Sequence, residues 1–66
     1  MLSHQQLRAH IITIIRHAQG SVMPQDLSRS RLLSSVDDRK AILTVAEKML
    51  AEGLLRQDEA GLYYLP

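Results

Sequence analysis

The segment from Ser35 to Gly53 has the pattern of one amphipathic helix closed by a glycine, and this helix limits what the rest of the chain can fold into. Ser35 precedes the apolar pattern as an N-cap, and two acidic residues follow where the positive end of the helix dipole favours them. Gly53 ends the pattern, because glycine adopts the left-handed conformation that closes a helix. We therefore expect a helix over residues 35–52.

The spacing of apolar residues divides this helix into two faces. At about 100° per residue, the inner face is expected to be buried, with Leu43 and Val45 on its flanks. The outer face is polar, so any specific recognition by this helix would come from it. The inner face comprises Ile42, Ala46, Met49, Leu50 and Gly53, and the outer face comprises Asp37, Lys40, Ala41, Thr44, Glu47, Lys48 and Ala51.

After Gly53 the apolar residues no longer recur every three to four positions and instead approach alternation with polar residues, which is typical of strands. Two short apolar segments, 54–57 and 62–65, flank a polar turn in which Gly61 suits the left-handed position. The pattern therefore predicts a β-hairpin over residues 54–65.

A second well-marked helix is predicted near the N-terminus, over residues 3–19. Ser3 and Gln6 match a capping box, in which each side chain binds the other residue's backbone amide. Gly20 follows as a stop. The apolar stripe of this helix is Leu7, Ile11, Ile14, Ile15 and Ala18.

A short strand and a short helix are expected between the two long helices. Residues 21–23 are long enough to add one strand to the hairpin. Pro24 suits the first turn of a helix, where its missing amide costs nothing. That helix is expected to cover at least residues 24–29 and at most residues 24–33, with a break near Ser34.

Composition narrows the class of protein. The chain has 66 residues, no cysteine and an apolar fraction of 45%, which indicates one folded domain without disulfides or thiolate metal ligands. No apolar run approaches the roughly 18 residues of a membrane span, and no signal-peptide pattern is present, so we predict a cytoplasmic protein without a membrane partner. The net charge of +1 lacks the strong basic excess of many nucleic-acid binders.

The residue types that carry catalysis or metal binding are not arranged for either. His10 and His17 lie seven residues apart on a helix, about 10 Å, which one zinc ion cannot bridge. Asp37 and Asp38 point about 100° apart and cannot form a carboxylate dyad. No phosphate-binding glycine loop or nucleophile elbow occurs. We therefore predict no enzymatic activity, no cofactor, no metal and no small-molecule substrate.

The order helix, strand, helix, helix, strand, turn, strand resembles the winged helix-turn-helix superfamily over the whole chain. The resemblance is carried by Gly20-Ser21-Val22, by the second helix from Pro24, and above all by the run AEKMLAEGLL at residues 46–55. It implies an α+β fold over residues 1–66, with three helices, a short first strand and a C-terminal β-hairpin wing. The chain also resembles small winged-helix modules of replication and mobile-element proteins.

Two features depart from a typical winged-helix repressor. The turn between the second and third helices has Leu32-Leu33-Ser34-Ser35 in place of a small-residue or glycine stop. The wing tip, Asp58-Glu59, is acidic where contacts with the DNA backbone usually require Lys or Arg.

The resemblance implies a non-catalytic module that binds double-stranded DNA, as a small transcription regulator or as part of a larger replication or transfer protein. The outer face of the third helix would enter the major groove, with Lys40 and Thr44 at base edges and Lys48 at a phosphate. Further backbone contacts are expected from Arg29, Arg31, Ser34, Ser35, Arg56 and Tyr63.

The alternative is a winged helix used for protein–protein assembly, as a homodimer or with a parent or partner protein. The near-neutral charge and the acidic wing tip suit that function. Ile12 lies outside the apolar stripe of the first helix, either as a partly shielded surface residue or as a contact within or between chains. In the assembly hypothesis Ile12 is the predicted protein interface.

Overall fold

Three helices and a three-stranded antiparallel sheet make up the computed structural model, which describes residues 1–66. The α+β class predicted from the sequence is confirmed. The elements are α1 (His4–His17), β1 (Ser21–Val22), α2 (Pro24–Ser28), α3 (Val36–Ala51), β2 (Arg56–Gln57) and β3 (Tyr63–Tyr64).

The capping box at the start of α1 forms as predicted. The hydroxyl of Ser3 accepts from the Gln6 amide at 3.1 Å, and the Gln6 side chain accepts from the Ser3 amide at 2.8 Å. The helix ends at His17, two residues earlier than expected, because the backbone reverses at Gln19 (φ 64°) as well as at Gly20 (φ 109°). Gly20 is therefore the second of two left-handed residues rather than the stop itself.

Helix α2 is close to the shorter of its two predicted lengths and ends at Ser28. The Ser28 hydroxyl donates to the Gln25 carbonyl at 3.0 Å, and the Ser30 hydroxyl accepts from the Leu32 amide at 3.2 Å. Serine side chains that bind nearby backbone groups compete with helical hydrogen bonds. The polar run after Ser28 therefore forms a turn, which places Leu33 in the core.

Both ends of α3 follow the sequence signals. The Ser35 hydroxyl accepts from the Asp38 amide at 3.0 Å. At the other end Gly53 has φ 80°, the Gly53 amide donates to the Leu50 carbonyl, and the Leu54 amide donates to the Met49 carbonyl at 2.8 Å. These two hydrogen bonds form a Schellman motif, which turns the chain out of the helix towards β2.

The sheet has the order β1-β3-β2, so that the last strand of the chain is central. Val22 pairs with Tyr63 on one side, and Gln57 pairs with Tyr63 on the other. The hairpin strands are two residues long, shorter than the predicted segments 54–57 and 62–65.

The acidic turn between β2 and β3 is organised by Asp58. One oxygen of its carboxylate accepts from the Ala60 and Leu62 amides, both at 2.9 Å. Gly61 has φ 90° and donates its amide to the Asp58 carbonyl at 3.0 Å. Asp58 therefore stabilises the turn at the hairpin tip, as aspartate commonly does by accepting hydrogen bonds from backbone amides a few residues further along the chain.

One core joins the helices and the sheet, and α3 contributes most to it. The predicted inner-face residues Ile42, Ala46 and Met49 are buried, whereas Leu50 is half-buried. The complete core is Leu7, Ile11, Ile15, Val22, Leu27, Leu33, Ile42, Val45, Ala46, Met49, Leu55 and Tyr63.

Two long-range polar contacts hold the N-terminal part of the chain against α3. The carboxylate of Asp38, which is 3% exposed, accepts from the Leu2 amide at 3.0 Å. Arg8 on α1 forms an ion pair with Glu52, the residue that caps the end of α3. The N-terminal part of the chain therefore contacts α3 at both of its ends.

Candidate nucleic-acid interface

The outward face of α3 is polar and accessible. Lys40, Thr44 and Lys48 are exposed, as the sequence predicted for this face. The one ion pair of the molecule joins Arg8 and Glu52, so neither lysine has a carboxylate partner within 4.0 Å. Both ammonium groups are available to an external anion.

The turn before α3 adds further accessible cations. Arg29, Arg31 and Ser34 are exposed, and neither arginine pairs with a carboxylate. Ser35 is half-buried and its hydroxyl caps α3, so its first role is structural. The Arg39 guanidinium donates to the Leu33 carbonyl at 3.2 Å, which ties this turn to the first turns of α3.

Two shallow grooves, each of about 340 Å³, border α3. Arg56, Gln57 and Tyr64 line the first, between the end of α3 and the hairpin. Thr44 and Lys48 line the second, between α3 and the start of α1. Both are open to solvent, so they suit contact with an extended surface rather than enclosure of a small molecule.

Tyr63 was predicted to contact a phosphate, and the structure corrects this prediction. The residue is 6% exposed and its ring belongs to the core. Burial raises the pKa of the Tyr63 hydroxyl, and the nearby Glu47 carboxylate raises this pKa further. A buried ring beside a negative charge is a poor contact for a phosphate.

The Tyr63 environment predicts an alkaline loss of stability. The ordinary tyrosine pKa is 10.0, and the folded-state pKa lies above it, so between these two values the unfolded chain gives up a proton that the folded chain keeps. The free energy of unfolding therefore falls as pH rises from about 10 through the folded pKa, and it is unaffected by this group well below pH 10. Urea titrations should show this fall for the wild type and a smaller one for Tyr63→Phe. An equal fall in both proteins would contradict the prediction.

Ile12, the predicted protein interface, is partly accessible. Its side chain is half-buried and packs against the core. It is therefore a partly shielded surface residue that contacts its own chain, and a contact of Ile12 with a second chain stays a prediction.

The acidic residues near the outward face of α3 differ in how far they are exposed to solvent. Asp38 turns inward to the Leu2 amide and is buried, so only Asp37 of the pair stays exposed on the first turn of α3. Asp58, which holds its own turn, and Glu59 stay exposed at the hairpin tip. Burial therefore reduces the number of exposed carboxylates only at the start of α3, from two to one.

Val36 and Leu32 were not among the predicted site residues, yet both are exposed, at 69% and 50%. Val36 is the first residue of α3 and lies about 40° from Lys40 around the helix axis. The two faces of the helix were assigned from Asp37 onward. Had the assignment begun at Val36, the same helical periodicity would have placed Val36 on the outward face.

No helix of the structure combines the length and apolar character that crossing a membrane requires.

Comparisons with protein-family models, with curated proteins and with solved structures found no match to this chain. The accessible face of α3, with the turn before it and the hairpin after it, is therefore the basis for assigning a function.

Proposed function

We propose that this chain is a winged-helix module that binds double-stranded DNA without catalysing a reaction. Three helices followed by a β-hairpin that pairs with a short first strand support this fold assignment. The observation that carries the function is a set of exposed cations without carboxylate partners on and around the outward face of α3: Arg29, Arg31, Lys40, Lys48 and Arg56.

In this proposal α3 lies in the major groove with its N-terminal half leading. Lys40 donates to the O6 and N7 acceptors of a guanine, and Thr44 offers a hydroxyl or a methyl group to the next base edge. Lys48, two turns beyond Lys40, binds a phosphate. Arg29 and Arg31 hold the backbone on one side of the groove, and Arg56 holds it from the hairpin.

The charge balance sets the expected strength of binding. Burial of Asp38 removes one of the two carboxylates that would oppose DNA at the start of α3. The net charge is still only +1, and Asp37 and Glu47 remain exposed on α3. One copy therefore binds weakly and in a strongly salt-dependent way. Two copies, or a larger parent protein that holds the module near DNA, raise the affinity through effective concentration.

A titration of a fluorescent mixed-sequence duplex at salt concentrations from about 50 to about 200 mM tests the proposal. Four phosphate contacts predict that log K falls with log salt with a slope of about −3.6. Arg31→Ala should make this slope shallower by about 0.9. Arg16→Ala is the matched control, because Arg16 is an exposed arginine in the last turn of α1, outside the proposed interface, and its removal should leave the slope unchanged. Absence of binding at about 50 mM salt would contradict the proposal.

Assembly with another protein is the second candidate, and the exposed apolar side chains of Leu32 and Val36 favour it. In that case the chain forms a homodimer or docks on a parent protein through the turn before α3. Sedimentation at increasing concentration would then show self-association that Leu32→Ser reduces. DNA binding with the predicted salt slope, from a protein that stays monomeric, would contradict it.

A further inference from the structure

We propose that Val36 selects thymine in the DNA site by contacting its C5-methyl group. This inference rests on the proposed DNA-binding function and adds a specificity-determining residue to it. It concerns the one exposed large apolar side chain of α3, at the end of the helix that enters the groove first.

The position of Val36 makes it a base-edge residue. It is the first residue of α3, and the N-terminal residues of a recognition helix are those that reach base edges. It precedes Lys40 by four residues, so the two side chains are neighbours on one face of the helix. A valine cannot form hydrogen bonds, and the thymine methyl is the apolar group that the major-groove edge offers.

The surroundings of Val36 fit DNA better than they fit a protein partner. A stable protein interface buries about 1,200–2,000 Å² around an apolar centre that is depleted of charge. Val36 and Leu32 are only two side chains, and Arg31, Asp37 and Lys40 are exposed around them in the sequence. DNA provides phosphates for the cations and a methyl group for the valine at the same place.

The geometry also gives the expected spacing of the bases. Four residues of helix advance about 6 Å, and successive base pairs lie about 3.4 Å apart. If Val36 contacts a thymine and Lys40 a guanine, the two bases lie within about two base pairs of each other. The preferred site should therefore contain a thymine and a guanine at this short spacing.

The test replaces thymine with deoxyuridine, which removes the methyl group and keeps every hydrogen-bonding atom. Duplexes with a randomised central segment are first enriched by binding to the wild-type protein, and each thymine of the recovered sequence is then replaced in turn. One position should weaken wild-type binding about fourfold, the effect of one buried methyl group. Val36→Ala should bind both duplexes equally, and Lys48→Ala should bind more weakly overall while still preferring thymine.

The outcomes separate this inference from the function on which it rests. Salt-dependent binding without any thymine position that is coupled to Val36 would overturn the inference and leave the proposed function standing. Failure of the wild type to bind any duplex would overturn both. A dimer that Val36→Ala dissociates would assign the residue to self-association instead. Val36 is exposed, so Val36→Ala should fold, and circular dichroism verifies this.

Discussion

Replacing Ile42 with alanine is expected to leave a large fraction of the protein unfolded at room temperature. Ile42 is 0% exposed and lies in the middle of the inner face of α3. Truncating a fully buried isoleucine to alanine costs about 2–5 kcal/mol, because the transfer free energy is lost and a cavity remains. A core of this size rarely supplies more than about 3–5 kcal/mol of net stability. The loss is therefore comparable to the whole free energy of unfolding.

Urea unfolding followed by circular dichroism measures this effect, and Val36→Ala supplies its control. Val36 lies on the same helix, and it is exposed rather than buried. Its truncation should change the free energy of unfolding by less than about 0.5 kcal/mol. If Ile42→Ala were as stable as Val36→Ala, α3 could not have the inner face described here, and the assignment of its outward face would fail as well.

The features predicted correctly depend on residues that are close in the chain. Ser3 with Gln6, Ser35 as the cap of α3, and Gly53 at its end all act within about five residues. Such signals are readable because the partners of a cap or a Schellman motif are set by helix geometry alone. They define where α1 begins and where α3 begins and ends, whereas the end of α1 was predicted two residues too late.

The features that sequence reasoning missed depend on tertiary packing. The Asp38 carboxylate meets an amide 36 residues away, and Arg8 meets Glu52 across 44 residues. Helical periodicity places Asp38, four residues before Ile42, on the inner side of α3 and Asp37 on the outer side. It does not identify the Leu2 amide as the partner of the buried carboxylate, because that contact depends on where the N-terminal part of the chain packs.

The burial of Tyr63 in a strand could not be predicted from the sequence either. Successive strand residues point to opposite faces, so a one-residue difference in register exchanges the buried and exposed sets. Residues 62–65 are all apolar or aromatic, and alternation therefore gives no direction. The pairing of Tyr63 with Val22 turns its ring into the core and leaves Tyr64 half-buried. The proposed contact of the hairpin with DNA therefore rests on Arg56, which is exposed.

Replacing Asp38 with alanine is expected to lower the free energy of unfolding by about 1–3 kcal/mol. Asp38 is the one buried charged residue, and its carboxylate accepts the hydrogen bond of the Leu2 amide. Removing the acceptor leaves that amide without its partner in a partly buried position, which costs its desolvation. Asp38→Asn keeps an acceptor oxygen in the same place and should lose less.

Asp37→Ala is the matched control, because it removes an exposed acidic side chain from the same helical turn. It should lose only the interaction with the helix dipole, about 0.3–1 kcal/mol. Faster hydrogen exchange of the Leu2 amide in Asp38→Ala, and unchanged exchange in Asp37→Ala, would locate the effect at this contact. Equal losses in both variants would mean that the carboxylate acts through the dipole alone. The contact between Asp38 and the Leu2 amide would then not be what holds the N-terminal part of the chain against α3.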